Sequence, residues 1–382
     1  MPRDFLKELE KRPIVFDGAT GTMLQQLGLK PGGCPDELNL KEPSIVKAVH
    51  SAYQKAGSDV VTTNTFGANR IKLKEYGLED RTSEINIQAG QIARDACPGL
   101  FAAGCMGPTG RFIEPVGELS FDEALGVFTE QADALKQGGV HLIIIETMMD
   151  IKEMRAAIIG ARSTGLPVIA TMTFDETFRT VTGTSPETFA ITAASLGADV
   201  IGANCSLGIE GILRIVSRMQ VLSVLPLIAQ PNAGIPLIKD NETVFPATAD
   251  EMSAYVPRLS EAGVRVLGGC CGTTPQHIKK MGSVFRRLKP AVSKTVSNPT
   301  ALASRSSCTL FGAGLAPIII GERINPTGRK RLAEEIREGK TSMIRQEARS
   351  QEAAGAKALD VNVGVTGIDE PLAMKRAIFS IN

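Results

Sequence analysis

Two adjacent cysteines, Cys270 and Cys271, stand in the run Leu267-Gly-Gly-Cys-Cys-Gly-Thr-Thr-Pro275, and a third, Cys205, stands in Gly202-Ala-Asn-Cys-Ser206. Brought together at strand ends, three thiols form a sulfur-rich metal site with one position left open. Zinc takes four sulfur or nitrogen ligands in a tetrahedron, and its catalytic sites draw three of them from protein and leave one for water or substrate. Neighbouring cysteines reach one ion only if the backbone between them turns sharply, and Gly268, Gly269 and Gly272 supply that freedom. Asn232, in Gln230-Pro-Asn232, is a candidate fourth ligand when substrate is absent. Three thiolates overcompensate a divalent ion, so the site is a poor Lewis acid for hydrolysis and keeps a fourth, substrate thiolate electron-rich. A substrate thiol, ordinarily with a pKa of about 8.5, would be thiolate at neutral pH there and would attack a carbon electrophile such as a methyl donor. The competing reading is that buried cysteine simply packs. Cys34, Cys97, Cys105 and Cys308 take that reading.

The elements that must position these thiols follow from periodicity. From Pro13 to about Arg287 short β-branched runs alternate with longer amphipathic stretches, the pattern of parallel strands joined by covering helices. Strands are expected at 14–17, 59–65, 100–105, 142–146, 168–173, 200–205, 227–230 and 264–268. Helices are expected at 44–56, 82–96, 121–137, 151–164, 186–196, 209–220, 248–262 and 275–287. Eight such units match a closed (β/α)8 TIM barrel, whose functional residues sit at the C-terminal ends of strands. An open doubly wound sheet is the runner-up. Polar or reactive residues end strand after strand (Asp17, Asn64, Glu146, Asn204 with Cys205, Asn232, Cys270 with Cys271), and that ring-like distribution favours the barrel.

Composition narrows the class. The 382 residues, 43% of them hydrophobic, can bury more than one average domain. Lys+Arg 42 against Asp+Glu 41 leaves a formal charge of +1, which recruits neither nucleic acid nor an anionic membrane. No apolar run approaches a membrane span and the N-terminus lacks a signal core, so a soluble cytoplasmic protein is expected. Seven cysteines, an odd number, point to free or metal-bound thiols over a disulfide framework. His50, His141 and His277 are scattered and read as surface or structural residues. The glycine-rich run 104–110 lacks the lysine of a phosphate-binding loop.

Beyond residue 288 the composition shifts. Residues 289–314 read as a linker, and 315–382 as the truncated opening of a second, incomplete α/β domain: a strand over 317–325, a charged helix from 330 to 354 and a strand over 358–363. Two strands and two helices cannot close a barrel, so the chain is expected to end inside that domain.

Several motifs carry a resemblance. Asp17-Gly-Ala-Thr-Gly-Thr22, Thr63-Asn-Thr-Phe66, Glu146-Thr147, Gly202-Ala-Asn-Cys205, Gln230-Pro-Asn-Ala-Gly234 and Gly268-Gly-Cys-Cys-Gly-Thr273 resemble the homocysteine S-methyltransferase family over about the first 290 residues. The resemblance implies a (β/α)8 barrel in which Cys205, Cys270 and Cys271 hold zinc and the zinc binds the homocysteine thiolate. For the other end of the substrate, backbone donors at Gly18, Ala19, Thr20 and Gly21 could form an anion site for an α-carboxylate, and Glu146 could accept from an α-ammonium. A capped turn or structural ion pair is the alternative for Asp17 and Glu146, and the resemblance turns both toward amino-acid binding. Asn64 is the weaker candidate, since an asparagine at a strand end often satisfies only loop backbone.

The second domain bears on the methyl donor. Gly321-Glu-Arg-Ile-Asn-Pro-Thr-Gly328 and Ala358-Leu-Asp-Val-Asn-Val-Gly364 resemble the opening of the pterin-binding barrel of cobalamin-dependent methionine synthases. That implies Glu322, Asn325, Asp360 and Asn362 at or near a folate site, methylcobalamin on a domain or separate corrinoid protein outside this chain, and 5-methyltetrahydrofolate as methyl source. The remaining alternatives are a stand-alone transferase using betaine or S-methylmethionine, and a non-catalytic zinc-binding protein.

Overall fold

The computed structural model describes residues 4–30, 32–239, 242–288 and 300–381, in two compact units. The first holds eight parallel strands: β1 (Ile14–Val15), β2 (Val60–Thr62), β3 (Phe101–Met106), β4 (Leu142–Met148), β5 (Val168–Met172), β6 (Val200–Gly208), β7 (Leu227–Asn232) and β8 (Val264–Leu267). They pair in the order 1-8-7-6-5-4-3-2. The ring closes between β1 and β2 through a backbone bond from Asp59 N–H to the Val15 carbonyl (2.7 Å) and through side chains: the Asp59 carboxylate accepts from Val15 N–H (2.8 Å), and the Asp17 carboxylate accepts from Thr62 N–H (2.7 Å). This is the expected TIM barrel.

Alternation along the strands sorts the core into two layers. Ile14, Phe16, Val60, Phe101, Ala103, Cys105, Leu142, Ile144, Ile169, Val200, Ile228 and Val266 fill the barrel interior. Their neighbours on the other face, such as Ile143, Ile145, Val168, Ile201 and Ala229, pack under eight covering helices: Pro43–Ala56, Thr82–Ala96, Phe121–Gln137, Ile151–Arg162, Pro186–Ser195, Ile209–Gln220, Ala249–Glu261 and Pro275–Phe285. Their starts are chemically marked. Ser120, Asp150, Ser185 and Thr248 cap four of them with side-chain oxygens, and proline opens three at the first turn.

The barrel also carries elements that were not expected. Helix Phe5–Lys11, capped by Asp4, covers the N-terminal mouth and inserts Phe5 and Leu9 beneath the interior layer, Phe5 standing edge-on to Phe101 at 5.6 Å. Its alternation of charge and single apolar residues reads as a solvated segment until the barrel bottom supplies a partner. A hairpin of strands Leu237–Lys239 and Glu242–Val244 also interrupts the path from β7 to its helix.

The second unit pairs strands β9 (Ile320–Ile324) and β10 (Ala358–Val361) in parallel beside helices Lys330–Arg337, Ser342–Ala353 and Glu370–Ile381. Ile324, Leu332, Ile336, Ile344, Ala348, Val363 and Ala377 form its core. The single helix expected over 330–354 is in fact two. Gly339 takes φ 70°, its N–H donates to the Ile336 carbonyl, and Lys340 N–H donates to the Glu335 carbonyl, a Schellman motif that ends the first helix. Of the expected linker, 289–299 lie outside the described residues, while Thr300–Ala303 and Cys308–Phe311 form a two-stranded sheet.

Truncating the plug tests the interior layer. Phe5→Ala should lower unfolding free energy by about 3–5 kcal/mol, read by urea denaturation, while the folded fraction keeps its metal binding; an unchanged midpoint would show that the helix does not brace the barrel.

Candidate active site

The three cysteines arrive at the rim by two different backbone devices. Cys205 sits where β6 leaves the regular ladder: the register slips between Asn204 and Gly208, and Cys205 and Ser206 adopt φ of 60° and 55°. A bulge of this kind re-aims side chains next to a site. Cys270 and Cys271 occupy the first half of a tight turn in which Thr273 N–H and Oγ1 both donate to the Cys270 carbonyl (3.1 and 2.7 Å) and Gly272 holds φ 77°. Positive φ at the third position is the requirement of a type II turn, and it demands glycine here because a Cβ would also strike Phe245. The turn is stitched to β7 by Cys270 N–H to the Pro231 carbonyl and Ala233 N–H to the Cys271 carbonyl (both 2.9 Å).

The Sγ atoms of Cys205, Cys270 and Cys271 consequently lie within 4.8 Å of one another, with Cys205 and Cys271 at 3.8 Å. Two sulfurs bound to tetrahedral zinc at about 2.3 Å stand about 3.8 Å apart. The donor set fits zinc. Without an ion the group favours one thiolate held by two thiols: hydrogen bonds from Cys270 and Cys271 pull Cys205 down, and donation to Cys205 pushes both donors up. Beside them, the Asn232 side chain helps to lower the Cys205 pKa, and its buried Oδ1 finds no partner among the described residues.

These three cysteines line a cavity of about 540 Å³. Asp17, Gly18, Ala19, Thr20, Asn64 and Glu146 line the same cavity, so the structure gathers these expected site residues of the barrel in one place. Asp17 is buried and accepts from Thr62 N–H and Oγ1 (both 2.7 Å), yet burial outweighs these bonds and carries its pKa up to about 7. Glu146 is raised by burial as well. Lys72 reaches the cavity wall, but its ammonium is paired with Glu75 at 2.9 Å. The expected backbone cradle is thinner than anticipated, because Ala19 N–H donates to Thr273 Oγ1 at 3.2 Å; the helix that follows, Thr20–Gln26, has no side-chain cap. Asn64 does satisfy loop backbone, donating to the Pro35 carbonyl at 2.7 Å, while still facing the cavity.

Two residues that organise the site have no site role legible in the sequence: Asn204 reads there only as a polar strand end and Cys105 only as packing. Asn204 is fully buried between the sulfurs and Glu146: its Oδ1 accepts from Thr147 N–H and Thr171 Oγ1 (both 2.8 Å), and its Nδ2 donates to Thr147 Oγ1 (2.7 Å) and toward Cys270 Sγ (3.8 Å). Cys105, expected only to pack, places its thiol 2.7 Å from Glu146 Oε1. Cys34 and Cys97 are buried in small apolar clusters. The histidines join no metal cluster among the described residues: His50 is buried, His141 accepts from Ala102 N–H and His277 caps its own helix.

In the second unit Glu322 and Asp360 stand on the paired strands β9 and β10, both exposed, where the register slips between Gly321 and Ile324. Asn325 donates to Glu322 Oε1 at 2.5 Å, and Asn362 N–H donates to the Ile324 carbonyl at 2.8 Å. Glu322 and Asn325 are thus joined directly, and Asn362 belongs to the adjacent strand end.

A TIM barrel with a three-cysteine cluster at its C-terminal rim defines a class of thiol-handling metal sites, and the comparisons specify it. The model of the family "Homocysteine S-methyltransferase" matches residues 14–285. The chain belongs to that family and is an enzyme of it. It is 30% identical over 392 residues to the methionine synthase of Mycobacterium tuberculosis, covering 97% of this chain and 33% of that protein. The methionine synthase of Mycobacterium leprae is 29% identical over 388 residues, covering 95% and 32%. The chain thus spans about a third of the length of these curated relatives. The homocysteine methyltransferase MmuM from Escherichia coli, in its metallated form, shares the barrel with a TM-score of 0.63 at 22% identity, over 72% of this chain and 98% of that one. Among the described residues no helix is long and apolar enough to cross a membrane.

The raised pKa of Asp17 has a signed consequence. Between pH about 4 and 7 the native state keeps a proton that the unfolded chain has lost, so this residue makes stability fall as pH rises through that window. In metal-free protein Asp17→Asn should flatten the loss by on the order of 3 kcal/mol, read as urea midpoints at pH 4.5 and 7.5; parallel profiles for the two proteins would contradict the burial.

Proposed function

We propose that this chain binds homocysteine with its thiol on a zinc ion held by Cys205, Cys270 and Cys271, and that the thiol sulfur accepts a methyl group from methylcobalamin to form methionine. The observation that carries the reading is a single cavity lined both by three clustered cysteine sulfurs and by two carboxylates, buried Asp17 and half-buried Glu146. A zwitterion with a terminal thiol matches both sets of groups. When bound, zinc supplies a low-pKa environment that keeps the substrate sulfur as thiolate at neutral pH.

The chain's own residues do the rest. Glu146 and Asp17 receive the α-ammonium, whose positive charge relieves two carboxylates that burial disfavours in ionised form. The N–H groups at Gly18 and Thr20 face the α-carboxylate, with Asn64 on the adjoining wall. Asn232, with an unpartnered oxygen beside Cys205, stands ready to complete the metal shell before substrate enters. In the transfer the homocysteine sulfur forms a bond to the methyl carbon, and the electron pair of the breaking bond stays with the donor. A cavity of about 540 Å³ leaves room above an amino acid for that approach.

The choice of donor draws on the second unit. Similarity to two methionine synthases runs through 95–97% of the chain, beyond the barrel and across the Glu322, Asn325, Asp360 and Asn362 segments. We read residues 1–288 as the homocysteine barrel, 289–314 as the connection and 315–382 as the start of a pterin-binding barrel. Those four residues are then folate contacts, 5-methyltetrahydrofolate the methyl source, and a cobalamin-binding domain or separate corrinoid protein the partner. Betaine and S-methylmethionine are the competing donors.

Supplying each donor separately to zinc-loaded protein with homocysteine decides among them. Methionine should form from methylcobalamin and not from betaine or S-methylmethionine; the reverse pattern overturns the assignment. Cys271→Ala should lose bound zinc and transfer activity while keeping the wild-type circular dichroism spectrum, and retained activity would refute the metal role.

A further inference from the structure

We infer that Cys105 is a positioning residue: its thiol fixes the Glu146 carboxylate in the orientation that receives an α-ammonium group, and so sets the preference for an amino-acid thiol over the same thiol acid without its amine. The inference rests on the reading of Glu146 as ammonium acceptor given above.

Cys105 belongs to β3 and the metal cluster does not include it, yet it lines the substrate cavity. Its Sγ lies 2.7 Å from Glu146 Oε1, and among the described residues this is the hydrogen bond made to the Glu146 side chain. A buried free cysteine ordinarily behaves as a small apolar residue, with its S–H only a weak donor. Here a half-buried carboxylate with two oxygens has one tied closely to the β3 wall, which leaves the other for a ligand.

The backbone beneath the thiol is held from both sides. Cys105 N–H donates to Thr63 Oγ1 at 2.9 Å, and its carbonyl accepts from Thr65 Oγ1 at 2.7 Å and from the Gln131 amide at 3.4 Å. Thr63 and Thr65 are themselves joined, hydroxyl to hydroxyl, at 2.6 Å. The strand end cannot rotate the thiol away without breaking this set. Burial and the neighbouring Glu146 push the Cys105 pKa upward, so the sulfur stays protonated and stays a donor. An S–H is also a weak donor. It orients the carboxylate while leaving most of its negative charge to attract an ammonium.

Calorimetric titration of the zinc-loaded chain with L-homocysteine and with 4-sulfanylbutanoic acid tests this. Cys105→Ala should weaken homocysteine about five- to tenfold, the scale of one ordinary net hydrogen bond, as suits a weak S–H donor, leave the amine-free thiol unchanged and leave zinc content unchanged. Cys105→Ser, which retains a donor, should restore most of the loss. Cys105→Val, which fills the space without donating, repeats the alanine test if that variant is unstable. Glu146→Gln separates the two layers of the argument. If it weakens homocysteine selectively while the Cys105 variants weaken both ligands or neither, Cys105 has no positioning role; if Glu146→Gln leaves the preference intact, the ammonium reading itself fails and this proposal with it.

Discussion

The rim of the barrel is organised by one buried amide. Asn204 joins the ends of β4, β5 and β6 and reaches toward the Cys270 sulfur of the turn after β8. A buried amide left short of partners is costly, so its bonds impose geometry on whatever surrounds it. Thr147 accepts φ 63° to present both N–H and hydroxyl to Asn204, and Cys205, next in sequence, turns out of the ladder at φ 60°. Strained backbone at the ends of β4 and β6, on either side of β5, is thus held by a satisfied hydrogen-bond network. The consequence is spacing: Glu146, just before Thr147, and Cys205, just after Asn204, face one cavity from opposite sides of the same clamp.

The cavity's charge gives that spacing a meaning. Buried Asp17 shares the cavity with half-buried Glu146 and three half-buried thiols, and the nearby lysine is paired elsewhere. Desolvation first, then the neighbouring acidic groups, drives the carboxylates toward their neutral forms, and the sulfurs share one thiolate among them. A structure built only for stability would place apolar side chains here, as the layer just below does with Ile144, Ile169 and Ile228. An unbalanced set of anion-forming groups at the C-terminal face of a barrel suits cationic partners, and the proposed ones are a divalent ion at the sulfurs and an ammonium at the carboxylates.

Much of this was legible in the sequence because it is written in local terms. Period-two apolar runs and capped amphipathic stretches locate all eight barrel strands and their covering helices, and polar residues at strand ends mark which rim is functional. The cysteine triad was legible because glycines flank it. What was hidden depends on distant partners. Phe5 and Leu9 look like isolated apolar residues until the barrel bottom encloses them. Asn204 shows itself in sequence only as a polar strand end, since its value lies in Thr147, Thr171 and Cys270, brought near only by closure of the ring. Cys105 looked like packing because its partner, Glu146, is forty-one residues away on the next strand. The break at Gly339 is a local signal that the charged periodicity on either side concealed.

X-ray absorption at the zinc edge, on the full chain with and without homocysteine, tests the central claim most directly. The account predicts three sulfur neighbours and one lighter atom in the free protein, becoming four sulfurs when homocysteine is added. A shell that keeps three sulfurs and its lighter ligand at saturating homocysteine would contradict it.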